Sequence, residues 1–348
     1  MRNHAAPRAL QLGSIMCDIN GLDLDEDERE LLLHPLIGGV ILFSRNYDSP
    51  KQLAELTSKI HGLRHPSLLI AVDHEGGRIQ RFRNGFSQLP ACSLFGAHKS
   101  TKEANLLAEY AGWLMSTELL SVGIDFSFAP VLDVGGNRSE VIGDRAFHTE
   151  PKQISSLTKA FTTGMNEAGM AAVGKHFPGH GSVIEDSHFS APSDPRSFND
   201  INERDLIPFR DLINFGILGL MPAHVVYSEI DKVPAGFSSI WLKEILRKQL
   251  KFQGAIFSDD LSMAGAEIVG DYTKRTKLAL EAGCDMVLIC NSRQGLISVM
   301  DNNKVSTNDC SLTRLEKMHG NFNYIYSDLK NKKIWQERSK TIESFLNK

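Results

Sequence analysis

A segment rich in glycine and histidine carries groups that can move protons. Residues 174–188 have the sequence GKHFPGHGSVIEDSH, which begins in a predicted strand and continues into a loop. Asp186 and His188 are two residues apart on this loop, so both can reach the same small group. A carboxylate beside an imidazole fixes its tautomer and raises its pKa, so His188 could protonate a leaving oxygen and later deprotonate water. The pair predicts acid/base catalysis.

The same segment leaves two other interpretations open. His176, His180 and His188 could bind a metal ion, but their spacing is not the i, i+4 spacing of helical ligands, and no carboxylate triad accompanies them. The three histidines could instead do no more than hydrogen-bond the loop. Acid/base catalysis therefore needs support from elsewhere in the chain.

Two adjacent aspartates end an apolar run in GAIFSDDLSM, residues 254–263. Asp259 lies at the end of the predicted strand, where a carboxylate can act as a nucleophile. Asp260 is expected to point elsewhere and to cap the following helix. The pattern therefore favours Asp259 as the reactive carboxylate.

A third polar segment, AVDHEGGRIQRFR at residues 71–83, contains groups of both charges. Asp73 ends a predicted strand, and Arg81 follows it, so the two could bind ligand hydroxyls as acceptor and donor. We expect Arg78 and Arg83 to form surface or intrachain ion pairs. Arg145, in VIGDRAF at residues 141–147, is a further donor, although an arginine at such a place is more often structural.

Eight short apolar runs could position these residues, and helical patterns separate several of them. Near-continuous apolar strands that alternate with amphipathic helices are typical of a parallel sheet covered on both faces. Eight such units predict an α/β fold, a single (β/α)8 TIM-type barrel, with an open seven-stranded sheet as the alternative. The runs are residues 12–19, 38–43, 68–73, 125–133, 170–177, 217–224, 254–259 and 284–290.

A barrel would bring the polar residues together, because active sites of this fold lie at the carboxyl ends of the strands. Asp73 ends the third run, Lys175 and His176 end the fifth, and Asp259 ends the seventh. Three further polar residues occupy similar positions, namely Glu75, Asp133 and His224. We therefore expect one polar mouth to the barrel.

The length of 348 residues suits one catalytic domain over residues 1–348, with a barrel core at about 10–290 and a helical tail at about 295–348. A formal net charge of −4 gives no attraction to polyanions, so we expect neither nucleic acid nor an acidic membrane as partner. The five cysteines are an odd number without a CxxC pair, which argues against a zinc site. Because the amino-terminal residues lack a secretory signal, we expect a cytoplasmic protein. We also expect a monomer that needs no metal or cofactor.

Three segments together resemble the glycoside hydrolase family 3 β-N-acetylglucosaminidases of the NagZ type. They are KHFPGHG followed by DSH, the strand-terminal SDDLSM, and AVDHEGGRIQRFR, and the resemblance spans about residues 10–290. It implies that Asp259 is the nucleophile and that His188, oriented by Asp186, is the acid/base. It also implies sugar contacts at five positions, namely Asp73, Arg81, Arg145, Lys175 and His176.

The resemblance further implies a retaining exo-β-N-acetylglucosaminidase that works through a covalent glycosyl-aspartate. Its small-molecule substrate would be a GlcNAc-1,6-anhydro-MurNAc peptide in peptidoglycan recycling. Another family 3 activity, such as that of a β-glucosidase, is the first alternative, although the pairing of KHFPGHG with DSH favours an acetylated sugar. A catalytically silent sugar-binding protein is the second.

Overall fold

Eight parallel strands form the central sheet, and each overlaps one of the predicted apolar runs. The computed structural model describes residues 11–136, 139, 141–183, 192–302 and 308–347. In chain order the barrel strands are Ile15–Cys17, Ile37–Leu42, Leu69–Val72, Phe126–Ser127, Val173–Phe177, Gly219–Pro222, Ala255–Asp260 and Met286–Ile289.

The strands are neighbours in chain order around a nearly closed barrel. Ile15 on the first strand pairs with Ile37 on the second and with Val287 on the eighth. The fourth and fifth strands meet through a parallel bridge between Val131 and Lys175, where the Leu132 N–H donates to the Lys175 carbonyl oxygen at 2.7 Å. The predicted (β/α)8 barrel is therefore confirmed, and the open seven-stranded sheet is excluded.

Helices cover the outside of the sheet. They are α1 (Glu26–Leu32), α2 (Pro50–His61), α3 (Cys92–Gly96), α4 (Thr101–Ser121), α5 (Pro151–Ala168), α6 (Phe198–Glu203), α7 (Leu206–Phe215), a π-helix (Ile240–Gln249), α8 (Ala264–Glu267), α9 (Tyr272–Ala282), α10 (Arg293–Asn302), α11 (Asp309–Glu316), α12 (Tyr326–Leu329) and α13 (Lys333–Leu346). Ser49, Ser100 and Asp271 cap α2, α4 and α9 by accepting hydrogen bonds from backbone N–H groups in the first turn.

Shorter elements lie between the main ones. They are the 3-10 turns Ser44–Asn46, Gly143–Arg145 and Ala235–Phe237 and the short strands His74–Gly76, Ile79–Gln80, Ser193–Asp194 and Val226–Tyr227. None of the helices in the described ranges has the length and apolar composition needed to cross a bilayer.

Aromatic side chains fill the barrel interior. Phe126 and Phe128, in and just after the fourth strand, contact Phe257 on the seventh strand at ring-centroid distances of 5.2 and 5.6 Å. All three rings are buried. The interior is therefore a packed core, and a ligand can bind only at an end of the barrel.

In the described part of the chain after the eighth strand there are four helices, and the last two, α12 and α13, pack on α4. The Trp335 indole N–H, on α13, donates to the Glu118 carboxylate on α4 at 2.9 Å. Arg338 on α13 forms two hydrogen bonds with Glu167 and lies over the Trp113 ring. These contacts join the carboxyl-terminal helix to the barrel wall.

Candidate active site

A cavity of about 320 Å³ lies at the carboxyl ends of the strands. The predicted site residues in the described part of the chain all line it. These are Asp73, Arg81, Arg145, Lys175, His176 and Asp259. Residues up to 186 positions apart in sequence thus share one polar mouth, as expected for parallel strands closed into a barrel.

Four charged residues form one wall of the cavity, and we call them the Lys175 cluster: Lys175, Asp73, Glu75 and Arg145. Lys175 Nζ lies 2.7 Å from Asp73 Oδ1 and 2.7 Å from Glu75 Oε1. Arg145 donates from Nε and Nη2 to the two oxygens of Glu75 at 2.9 and 2.8 Å. Glu75 is therefore the centre of the cluster, held by two cations.

The cluster remains charged at neutral pH. Burial alone would raise the pKa of Glu75, but Arg145 and Lys175 hold it well below its usual range. Burial would lower the pKa of Lys175, but the carboxylates of Asp73 and Glu75 raise it above its usual value. Two cations and two carboxylates thus give this wall strong local fields without net charge.

Three of the five N–H groups of Arg145 are bonded within the protein. Besides its two bonds to Glu75, it donates from Nη1 to the Val141 carbonyl oxygen at 3.2 Å, and only 10% of its side chain is exposed. The geometry favours Arg145 as the group that fixes Glu75 while forming part of the cavity surface. Its predicted contact with the sugar stays a prediction.

Asp73 and Arg81 are the more accessible pair. Their side chains are 23% and 29% exposed, and Arg81 Nη2 lies 3.7 Å from Asp73 Oδ2. Because that separation exceeds an ordinary hydrogen bond, both groups keep capacity for a ligand. A carboxylate acceptor beside a guanidinium donor can bind neighbouring hydroxyl groups.

A buried carboxylate orients His176. His176 Nδ1 lies 2.7 Å from Asp133 Oδ2, and Asp133 Oδ1 accepts from the backbone N–H groups of His176 at 3.2 Å and His180 at 2.7 Å. Burial would raise the pKa of Asp133, but the two histidines lower it. An ionised Asp133 therefore accepts the Nδ1 proton of His176 and fixes both ends of the 176–180 turn.

Asp259 lies at the end of the seventh strand, as predicted, and its Oδ1 accepts from the Asp260 N–H at 2.8 Å. The expectation that Asp260 caps the next helix is wrong. Its carboxylate instead accepts from the N–H and hydroxyl of Ser262 at 2.9 and 2.6 Å and from the Cys290 N–H at 3.1 Å. Asp260 thus joins the seventh strand to the eighth, and burial raises its pKa to about 6.

His224 supports the backbone at Asp260, the residue after the candidate nucleophile. It is fully buried, its ring is stacked on Phe237 at 5.3 Å, and its Nε2 lies 3.1 Å from the Asp260 carbonyl oxygen. Burial lowers the pKa of His224, so the ring is neutral and can donate the Nε2 proton to that carbonyl. The backbone next to Asp259 is therefore held by His224 and by the hydrogen bonds of the Asp260 side chain.

The predicted acid/base pair, Asp186 and His188, lies outside the described residues. His188 is also one of the three histidines of the metal interpretation. Within the described ranges, no group of three His, Cys, Asp or Glu side chains is arranged to hold a metal ion. Arg78 forms the expected ion pair, with Asp144 at 3.0 Å, whereas Arg83 donates to the Gly77 carbonyl oxygen at 2.8 Å.

Comparison with known proteins decides the family. A model of the glycosyl hydrolase family 3 N-terminal domain matches residues 8–317. The chain belongs to glycosyl hydrolase family 3. The resemblance predicted from the three segments is therefore confirmed.

Relatives of this family 3 chain match over nearly its whole length. A β-hexosaminidase from Thioalkalivibrio sulfidiphilus is 52% identical over 337 residues, which cover 96% of this chain and 97% of that protein. The crystal structure of NagZ from Neisseria gonorrhoeae in complex with N-trifluoroacetyl-D-glucosamine superposes with a TM-score of 0.92 at 40% identity, covering 98% of this chain and 99% of that one.

Removing the charge at the centre of the Lys175 cluster should destabilise this family 3 barrel in a pH-dependent way. Glu75→Gln is expected to lower the free energy of unfolding by about 3 kcal/mol at pH 7, because two buried cations lose a partner. The pKa of Glu75 is depressed in the fold, so its stabilising contribution is complete above its usual value of 4.5 and is lost progressively as the pH falls from there toward the depressed value. Urea unfolding of wild type and variant at pH 7 and pH 3 measures both effects.

Asp144→Asn is the matched control for that experiment. Asp144 pairs with Arg78 at the surface, where both side chains are 47% exposed, so the loss should be below about 1 kcal/mol. The ionised state assigned to Glu75 would be contradicted if Glu75→Gln lost no more free energy of unfolding than Asp144→Asn. It would also be contradicted if that loss did not become smaller in acid.

Sequence reasoning missed the roles of three residues around this site. Glu75, Asp133 and His224 were expected only as polar groups at strand ends, whereas they fix Lys175, His176 and the Asp260 carbonyl group. Their position at the ends of predicted strands was the feature of the sequence that indicated a place near the site. Their partners lie on other strands, which the spacing along the chain does not identify.

Proposed function

We propose that this chain is a retaining exo-β-N-acetylglucosaminidase that releases terminal, non-reducing, β-linked GlcNAc through a covalent glycosyl-aspartate. The coarser class, a glycoside hydrolase of the β-N-acetylhexosaminidase type, follows from family 3 membership and from β-hexosaminidase relatives at about 50% identity. The observation that carries the finer proposal is the shared cavity, which is lined by Asp259 together with Arg81 and the Lys175 cluster. The proposed substrate is a GlcNAc-1,6-anhydro-MurNAc peptide of peptidoglycan recycling.

The proposed reaction has two steps with one carboxylate and one imidazole. Asp259 attacks the anomeric carbon while protonated His188, oriented by Asp186, donates its proton to the departing glycosidic oxygen. The C1–oxygen bond to the leaving group breaks, and an ester to Asp259 forms. Neutral His188 then takes a proton from water, which attacks C1 and releases Asp259, so the configuration at C1 is retained.

The described residues suit the binding of a neutral sugar. Asp73 would accept from sugar hydroxyls, Arg81 and Lys175 would donate to their neighbours, and His176, whose Nδ1 is bonded to Asp133, would bind through Nε2. The Lys175 cluster is balanced in charge, so it orients hydroxyls without neutralising Asp259. An imidazole acid/base has the same advantage, because a second carboxylate would place another anion beside a nucleophile that must stay charged.

The size of the cavity supports action at a chain end. Its volume of about 320 Å³ is at the lower end of the range of ~300–1,000 Å³ for small-molecule sites, which suits one sugar residue. The packed aromatic core below it prevents a chain from passing through. The proposed cytoplasmic location, monomeric state and single catalytic domain stay predictions.

Paired chromogenic substrates test the proposal. In the presence of EDTA, 4-nitrophenyl N-acetyl-β-D-glucosaminide should be cleaved at least about 100-fold more efficiently than the β-D-glucoside, because a site that binds the acetamido group leaves polar groups unpaired with glucose. Preference for the glucoside would indicate the β-glucosidase alternative. Cleavage of neither would indicate a silent sugar-binding protein, and loss of activity with EDTA would indicate a required metal.

Two further readouts separate the finer parts of the proposal. Proton NMR in the first minutes of hydrolysis should show β-GlcNAc before mutarotation, whereas α-GlcNAc would contradict retention. Release of GlcNAc from a GlcNAc-1,6-anhydro-MurNAc peptide would support the proposed leaving group. If the muropeptide is not cleaved and the chromogenic substrate is, the proposed leaving group is wrong and the rest of the proposal stands.

A further inference from the structure

The loop that follows the third barrel strand connects the candidate site to the carboxyl-terminal tail. We define residues 81–89 as the Arg81 loop. Arg81, its first residue, lines the 320 Å³ cavity. Gly85–Gln88, farther along the loop, line a second cavity of about 370 Å³ whose opposite wall includes Lys330 and Trp335 of the tail. One short loop thus contacts the candidate site at one end and the tail at the other.

A single buried carboxylate holds the loop and the tail together. Glu118 on α4 is only 2% exposed. It accepts from the Ser87 N–H at 2.8 Å, from the Ser87 hydroxyl at 2.6 Å and from the Trp335 indole N–H at 2.9 Å. Loss of the Trp335 N–H would remove one of three donors that fix this buried carboxylate, and the carboxylate in turn fixes Ser87.

The tail makes a second contact with the loop through Tyr326. Its hydroxyl donates to the Gly85 carbonyl oxygen, and its ring lies 6.1 Å from that of Phe86. Gly85 has a φ of +91°, and a Cβ there would lie 2.7 Å from Pro50 Cγ and 3.0 Å from the Tyr326 hydroxyl. The loop conformation and the close approach of the tail both require glycine at this position.

Arg81 has weak anchors of its own. Its Nη2 is 3.7 Å from Asp73, its guanidinium carbon lies 5.9 Å from the centre of the Phe43 ring, and its Nε has no hydrogen-bond partner within the described part of the chain. Its backbone carbonyl accepts from the Ser44 hydroxyl at 3.1 Å. The position of its guanidinium therefore depends mainly on where the backbone of the loop is held.

We propose that Trp335 and Tyr326 are positioning residues for substrate binding, because they hold the Arg81 loop and thereby keep the Arg81 guanidinium at the sugar-binding wall. The proposal rests on the proposed function in one respect, since it takes Arg81 as a sugar contact. It gives the carboxyl-terminal tail a role in affinity for substrate. The chemical step, which belongs to Asp259 and His188, does not depend on the tail.

A double-mutant cycle between Trp335 and Arg81 tests the proposal. Trp335→Phe retains a large ring and removes the N–H donor, so KM for 4-nitrophenyl N-acetyl-β-D-glucosaminide should rise about threefold to tenfold with kcat within about twofold. Arg81→Ala should raise KM further. In the Arg81→Ala background, Trp335→Phe should have no additional effect on KM, because the tail acts through Arg81.

Arg338→Ala is the control for a general loss of stability. Arg338 is on the same helix as Trp335 but contacts Glu167 and Trp113, away from the Arg81 loop. It should lower the melting temperature and leave KM unchanged. Glu118→Gln is a second variant in case Trp335→Phe folds poorly. It keeps the shape of the side chain and replaces one acceptor oxygen with an amide group. It too should raise KM.

The outcomes are distinguishable. An unchanged KM in folded Trp335→Phe and Glu118→Gln would overturn the role of the tail. So would an equal effect of Trp335→Phe on KM with and without Arg81. Both results would leave the proposed function intact. An equal rise in KM in Arg338→Ala would also overturn it, because general destabilisation would then explain the change. No effect of Arg81→Ala itself would overturn both the role of the tail and the assignment of Arg81 as a sugar contact.

Discussion

Asp259→Asn should lower kcat for 4-nitrophenyl N-acetyl-β-D-glucosaminide by about four orders of magnitude or more, because an amide cannot form the glycosyl ester. The variant keeps an oxygen that can accept the Asp260 N–H, which in the wild type donates to Asp259 Oδ1 at 2.8 Å. The fold and the cavity should therefore survive, and binding of GlcNAc should change far less than turnover. Steady-state kinetics and product binding by calorimetry measure the two effects separately.

The adjacent aspartate provides the matched control. Asp260 Oδ1 accepts from the N–H groups of Ser262 and Cys290, and its Oδ2 is bonded to the Ser262 hydroxyl. In Asp260→Asn the amide oxygen can accept both N–H groups while the NH2 donates to the hydroxyl, so activity should stay within about tenfold. Equal losses in the two variants would contradict the assignment of Asp259 as nucleophile.

His188→Gly should lower turnover by about 100-fold to 10,000-fold, which is the usual contribution of a general acid/base. The size of the loss should depend on the leaving group. A 4-nitrophenolate leaves without full protonation, so its departure needs the acid less than that of a sugar alkoxide. We therefore expect a larger loss for a GlcNAc disaccharide or muropeptide than for the 4-nitrophenyl substrate.

Kinetics with the two classes of leaving group measure this difference. Circular dichroism of His188→Gly checks that the variant is folded, and Asp186→Asn should reproduce part of the loss, because it weakens the orientation of the imidazole. Unchanged turnover in folded His188→Gly would remove His188 from the mechanism. An equal loss with both leaving groups would contradict its role as the acid.

The barrel could be predicted because its strands are buried on both faces. Such strands are continuous apolar runs, as in Leu69–Val72, where all four residues are buried. The candidate site could be predicted from the same feature, since a polar residue directly after such a run lies at the barrel mouth. Asp73 and Asp259 therefore belong to one cavity although nothing local in the sequence connects them.

The prediction for Asp260 was wrong for a reason that the local sequence does not contain. An aspartate shortly before a helix is a common helix cap, and that pattern favoured the prediction. The folded chain brings the Cys290 N–H, from the end of the neighbouring strand, to 3.1 Å from Asp260 Oδ1, and Ser262 supplies two more donors. The short helix that follows begins after Met263 without a side-chain cap.

The sequence by itself determined the eight strands, the family and the residue types at the barrel mouth, because burial pattern and local motif are properties of neighbouring residues. Only the tertiary structure decided which of those residues bond to one another. Arg145 and Glu75 are 70 residues apart, Lys175 and Asp73 are 102 apart, and Trp335 and Glu118 are 217 apart. Such pairs form when distant strands and helices are packed side by side, and their geometry depends on the whole barrel.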